Sequence, residues 1–224
     1  MFIMSDKNEL LYLPVSLGEA IDKLTILDIK LDKITDNRKI DVKKEYDLLY
    51  DKLKEFIIKY ENLYQTMKKV NLLIWDMMDI VRDGSVNEKQ YLKICKECIE
   101  YNDIRFRVKN KINYVSKSLL KEQKSYKINR LVITINKDIN NNLVFLNIIK
   151  YFSFIYDEIV ILSIHNLDYL KQYFEYDITI LFNSTVETEL LDYKCKVIIE
   201  EKEYTKNEYY NLFNISEYEI NILI

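Results

Sequence analysis

The chain has little backbone punctuation: two glycines, one proline and one histidine in 224 residues, with three cysteines. Residues 127–224 contain no glycine. This excludes the glycine-rich dinucleotide fingerprint and the P-loop as usually built, since both need backbone that can approach phosphate closely. Cys95 and Cys98 form a C-x-x-C in a helical pattern with no second pair and a single histidine to help, so a zinc site lacks ligands and no metal is expected. Three cysteines cannot all pair, and a reducing, cytoplasmic setting is the simple reading. The opening Met1-Phe2-Ile3-Met4-Ser5-Asp6 lacks the basic head and apolar stretch of a signal peptide. The longest apolar region, residues 143–164, is interrupted by Lys150, Asp157 and Glu158, so no membrane span is expected.

What is present fits a globular protein: 49% hydrophobic and 31% charged residues exclude a disordered chain. The net charge of −3 is unevenly spread, with a net of +3 over residues 1–126 and −6 over 127–224. Neither part has the basic excess of a nucleic-acid binder, so no nucleic-acid partner is expected. The abundance of Tyr, Ile, Lys and Asn points to an AT-rich genome, so those counts carry no chemistry by themselves.

Three segments repeat apolar residues in alternating steps of three and four. The first runs from Leu17 through Leu24 to Ile34. The second runs without a miss from Val42 through Leu53, Tyr60 and Leu63 to Val81 and predicts one helix of about 60 Å. The third runs from Tyr91 through Cys98, Val108 and Ile112 to Leu119. Short connections at residues 35–41 and 82–88 make neighbours antiparallel, and Gly84 reads as a helix stop. The expectation is an antiparallel helical hairpin or three-helix bundle whose long central helix outruns its neighbours, leaving an apolar stripe that a homo-oligomer would cover. From Tyr126 onward, compact β-rich runs at 131–135, 159–162, 178–182 and 197–199 alternate with helix-like stretches. That alternation predicts a small Rossmann-like parallel α/β domain. The fold class is therefore a two-part α/β protein, with domains at 1–126 and 127–224.

Pro14 and Gly18 fall together in Leu13-Pro14-Val15-Ser16-Leu17-Gly18-Glu19 and mark a specified helix start. Ser16 is the expected N-cap and Glu19 its reciprocal capping-box partner. The third seam holds one anomaly, Arg105, where a core residue belongs; Asn102, Lys109 and Asn113 share its face within an arc of about 80°. On the first helix Glu19, Lys23 and Lys30 share a narrow arc, with Asp22 beside it. If the two helices pack antiparallel, these stripes face one another. Two readings stay open: an ion-pair network fixing helix register, or a ligand-binding cluster grasping a carboxylate or phosphate.

The stretch Val15-Ser16-Leu17-Gly18-Glu19-Ala20-Ile21-Asp22-Lys23-Leu24-Thr25-Ile26-Leu27 resembles the opening signature of an uncharacterised, mostly bacterial protein family. Further likenesses are Asn102-Asp103-Ile104-Arg105 with Lys109 and Asn113, and Glu122-Gln123-Lys124-Ser125-Tyr126. Ala20 departs from the pattern, which has a larger aliphatic residue there. The resemblance covers residues 12–126 and implies an association with lipopolysaccharide and other surface-glycan assembly.

In the second part, polar residues collect where strands should end: Asn136, Lys137 and Asp138; Ser163, His165 and Asn166; Asn183, Ser184 and Thr185. Carboxyl ends of parallel strands are where such folds bind ligands, and His165 is the natural acid–base candidate. The leading expectation is an accessory or ligand-binding component of surface-glycan biosynthesis, with an anionic sugar or nucleotide sugar near Arg105 and Lys23; the second is a glycosyltransferase-like enzyme using the strand-end residues with His165. No other cofactor is implied. The alternative is an oligomeric scaffold protein assembled through the long heptad helix.

Overall fold

The computed structural model describes residues 10–122, 124, 127–139, 142–183 and 192–221. The helix start at Ser16 is built as expected, but only half of the capping box forms: Ser16 Oγ accepts from Glu19 N at 3.1 Å, while the Glu19 carboxylate turns to Lys109. Helix α1 (Leu17–Lys33) is followed by α2 (Arg38–Lys59), α3 (Glu61–Asp83) and α4 (Glu88–Val115).

The long central helix is corrected to two helices that break at Tyr60, whose φ of −126° and ψ of 46° leave the helical region. Tyr46 of α2 packs against the core cluster that holds Tyr64 of α3, and Tyr64 OH donates to Asp28 Oδ2 at 3.0 Å. Eighteen residues of continuous helix would hold Tyr46 and Tyr64 about 27 Å apart. No glycine or proline causes the break. Tertiary burial does: Leu53 from α2 and Leu63 and Met67 from α3 enter one core with Ile21, Leu24 and Ile112. Full burial of each such side chain contributes about 1.5–3 kcal/mol, far more than propensity along the helix. The heptad stripe from Tyr46 to Met67 is thus spent inside the chain. Gly84, at φ +69°, ends α3 as expected. Helix α4 stops at Val115, short of the predicted Leu119, which is 95% exposed.

The second part follows the predicted alternation. Strands β1 (Arg130–Ile135), β2 (Glu158–Ser163), β3 (Ile180–Asn183) and β4 (Cys195–Ile199) form one sheet in the order β3-β2-β1-β4, with every pair parallel. Between and after them lie α5 (Leu143–Phe152), α6 (Asp168–Tyr173), α7 (Lys206–Leu212) and α8 (Glu217–Asn221). Ile133, Ile161 and Val197 stand in register on the face that packs against Phe145, Tyr209 and Phe213. Val132, Val160 and Leu162 are buried on the opposite face. Strands covered on both faces read as continuous apolar runs, which is why β1 and β2 were visible in the sequence.

Helix α4 also closes one edge of the sheet. Ile159 N donates to Thr179 O at 2.8 Å, so the carbonyls of Ile180 and Phe182 point away from β2, toward the free edge. Lys111 Nζ donates to Ile180 O and to Phe174 O, both at 3.1 Å, and Tyr114 OH donates to Phe182 O. Lys111 and Tyr114 are three residues apart, on one helical face. Two side chains of the helical part thereby occupy the outward acceptors of the edge strand.

Candidate functional site

Two groups of residues carry the chemistry. The first lies between α1 and α4. Gly18 N donates to Asn113 Oδ1 at 2.7 Å, Leu17 N to Ser118 Oγ at 3.2 Å, and Glu19 N to Ser16. The first amides of α1 are therefore satisfied within the protein. Arg105 donates from Nε to Asp22 Oδ1 at 2.8 Å and from Nη2 to Oδ2, a two-pronged pair. Asp22, 2% exposed, also accepts from Asn71 at 2.8 Å; Asn71 reaches Thr25 at 2.9 Å. The bond to Asp22 raises the Arg105 pKa against the effect of burial. Lys109 pairs with Glu19 at 3.1 Å and with Glu122. Burial alone would lower the Lys109 pKa, but these two carboxylates outweigh it and raise it.

The predicted stripes do meet, and among their residues Glu19, Asp22, Arg105, Lys109 and Asn113 come together. Three others do not join them. Lys23 pairs on the surface with Glu45 of α2 at 2.6 Å, and Asn102 donates back to Cys98 O of its own helix at 2.9 Å. Lys30 enters none of the cluster's ion pairs among the described residues. As built, the cluster is an internal network in which each cation faces a carboxylate.

The second group lies at the carboxyl ends of β2 and β3. A cavity of about 620 Å³ opens there, lined by Lys117, Ser163, His165, Asn166, Lys171 and Phe182 among others. Tyr114, Lys171 and Phe182 also line an adjoining cavity of about 340 Å³ that reaches Lys111. Ser163 Oγ donates to Ile135 O at 2.9 Å and accepts from His165 N at 3.0 Å, which fixes the loop carrying His165. Asn166 Oδ1 accepts from Asp168 N at 2.9 Å and shapes the start of α6. Lys171 sits 3.6 Å from Asp168 on the rim.

Sequence reasoning found the strand-end residues but missed Lys111, Tyr114 and Lys117. Lys111 is 1% exposed, and burial pushes its amine down to about 8. Lys117 occupies the left-handed turn after α4, at φ 54°. Ser118 N donates to Asn113 O at 2.9 Å and Lys117 N to Tyr114 O at 3.1 Å, so the helix ends in a Schellman turn with lysine where glycine is usual.

A third polar group stands at the ends of β1 and β4. Lys137, Asp138, Asn142 and Glu203 line a cavity of about 280 Å³ there. Helices α5 and α7, which follow these strands, pack together through Phe145 with Tyr209 and Phe213, at ring separations of 6.1 and 6.2 Å. They do not diverge to opposite faces to open a crevice, so this site stays small. Ser184 and Thr185 lie outside the described residues. Among the described residues no cluster of three or more His, Cys, Asp or Glu side chains could hold a metal, and no helix is long and apolar enough to cross a membrane.

A protein family described as a family of unknown function (DUF6165) matches residues 11–143, more than half of the chain. The chain belongs to this family. No curated protein and no solved structure matches it. The DUF6165 span holds both partners of the Asp22–Arg105 and Glu19–Lys109 pairs, together with Lys111, Tyr114 and Lys117. It runs on through β1 and ends at the first residue of α5, past the sequence boundary at 126. Ser163, His165 and Lys171 lie beyond it. The cavity at the sheet edge thus has one wall inside the DUF6165 span and one outside.

Proposed function

We propose that this protein is a ligand-binding component of surface-glycan biosynthesis, acting in the cytoplasm, with a Rossmann-like, glycosyltransferase-like lobe. Its ligand is an anionic sugar or nucleotide sugar seated at the carboxyl ends of β2 and β3. The observation that carries this reading is the cavity of about 620 Å³ framed by Lys117, His165 and Lys171. Its volume suits a nucleotide-sized ligand, and carboxyl ends of parallel strands are the usual binding edge. Among the described residues of its wall, Lys117 and Lys171 outnumber the one carboxylate, Asp168, which favours an anion. His165 and Asn166 offer sugar hydroxyls donors and acceptors.

Arg105 is the less favoured anchor, because Asp22 already holds two of its donors and Glu19 and Glu122 bracket Lys109. Calorimetric titration with a panel of nucleotide sugars and anionic glycans separates the two places. Lys117→Ala and Lys171→Ala are expected to weaken binding about tenfold each while melting near the parent. Arg105→Ala is expected to melt lower and, at a temperature where it is folded, to bind as the parent does. The proposal fails if no member of the panel binds, or if Arg105→Ala alone abolishes binding.

A further inference from the structure

The cavity at the ends of β2 and β3 has a neighbour of different character. The adjoining space of about 340 Å³ shares Tyr114, Lys171 and Phe182 with it and reaches the break between α2 and α3. There Tyr60 and Val115 extend an apolar wall. Tyr60 OH donates to Val115 O at 3.4 Å and Tyr114 OH to Phe182 O. Both phenol protons are given to backbone carbonyls, so what the two tyrosines have left for a ligand is chiefly ring surface. The polar groups of this space other than Lys111 come from α6 and the turn after it: Lys171, Gln172 and Glu175.

Charge separates the two spaces. Among the described residues of the smaller one, the cations are Lys111 and Lys171 and the carboxylate is Glu175. Lys111 is 1% exposed and already donates to Phe174 O and Ile180 O, which leaves it little for a ligand. Lys171 is common to both spaces and stands 3.6 Å from Asp168. The smaller space therefore holds Glu175 and Gln172 as its own polar groups, both at exposed positions. A carboxylate accepts hydrogen bonds and an amide gives and accepts them, whereas a second anion would meet Glu175 as a like charge. A sugar ring matches that wall, with its C–H groups against the apolar side and its hydroxyls on Glu175 and Gln172. An anionic substituent belongs in the larger space, where Lys117 adds a cation that the described lining of the smaller one lacks. We infer that the smaller cavity seats a neutral sugar ring whose phosphate is held across the shared rim by Lys117 and Lys171. The assignment rests on the proposed anion site at the ends of β2 and β3, and it narrows the ligand to sugars charged on a phosphate rather than on the ring.

The test is calorimetric titration of the full chain with inorganic phosphate, glucose and galactose 1-phosphates, and the matching uronate 1-phosphates. A hexose phosphate is expected to bind at least about tenfold tighter than inorganic phosphate, and its uronate counterpart about tenfold weaker than the hexose. Uridine diphosphate glucose in the same series tells a nucleotide-linked phosphate from a free ester by a further gain over glucose 1-phosphate. Gln172→Ala with Glu175→Ala should bring the hexose phosphate down to the level of inorganic phosphate, with unchanged melting and unchanged inorganic phosphate binding. Glu175→Gln, which keeps an acceptor and loses the charge, should bring the uronate to within about threefold of the hexose. The inference is overturned if the hexoses add nothing to inorganic phosphate, if the uronates bind as tightly as the hexoses, or if the double-alanine variant binds hexose phosphate as the parent does. In each of these cases an anion is still bound and the proposed function stands. A chain that binds no phosphate, sugar phosphate or nucleotide sugar overturns both.

Discussion

Gly18 shows how much a single residue can fix. An added Cβ there would stand 2.5 Å from Lys109 O and 2.9 Å from Asn113 Oδ1. The first is backbone within a helix and cannot give way cheaply. Alanine would gain about 0.5–1 kcal/mol as the better helix former, but overpacking costs about 1–3 kcal/mol, so the clash decides the sign. Gly18→Ala is therefore expected to lower stability by about 1–2 kcal/mol, read as a lower urea midpoint at unchanged slope; a midpoint at or above the parent's would show that α1 and α4 are not pressed together here. The sequence marked this glycine as special but not for this reason, because the contact is with a residue ninety positions away. Arg105 is the complementary case. Its place in a seam announced a buried partner, yet only the fold distinguishes Asp22, which holds it, from Glu19, which pairs with Lys109 instead.

At the scale of elements, helix ends were more legible than helix lengths. Ser16 and Gly84 act locally, through amides and φ, and local chemistry is visible in sequence. The break at Tyr60 is not local. The apolar stripe continues unbroken across it, and only the three-dimensional core pulls α2 and α3 onto α1. The central strands β1 and β2 were legible because strands buried on both faces are continuous apolar runs, and the edge strands β3 and β4, whose burial alternates, through their short β-branched runs. Lys117 shows what an element's end can give up for a site. In the left-handed turn after α4, glycine would relieve steric strain of about 1–2 kcal/mol, less the freedom it gives the unfolded chain. Lys117→Gly is expected to raise stability by about 0.5–1 kcal/mol in urea unfolding, and to weaken anionic ligand binding by removing a cation from the cavity. Unchanged affinity would leave the turn as geometry alone and take Lys117 out of the site.

The joint between the two parts is a matter for the whole molecule, and Lys111 is its centre. This ammonium leaves α4, crosses to the sheet and holds the carbonyls of Phe174 and Ile180, with no carboxylate in contact among the described residues. A lysine in a lysine-rich helix reads as solvated, so nothing in the sequence could reveal it. Burial pushes its pKa from 10.5 down to about 8, partly offset by the more distant Asp177 and Glu175. The consequence for stability has a definite sign. Below about pH 8 the amine is charged in both folded and unfolded chains, and the folded state carries the full penalty. Between about 8 and 10.5 the folded chain releases the proton while the unfolded chain keeps it, so stability rises with pH, by up to about 1.4 kcal/mol per unit and about 3 kcal/mol in all. Buried tyrosines such as Tyr114, whose pKa burial raises, act in the opposite direction near and above pH 10, so the informative window is about pH 8–9.5. Urea midpoints of the parent should climb across that window relative to those of Lys111→Met, which has no proton to lose. Parallel profiles would mean that the amine stays charged at the joint, and that the two carbonyls, with water, solvate it well enough to cancel the cost of burial.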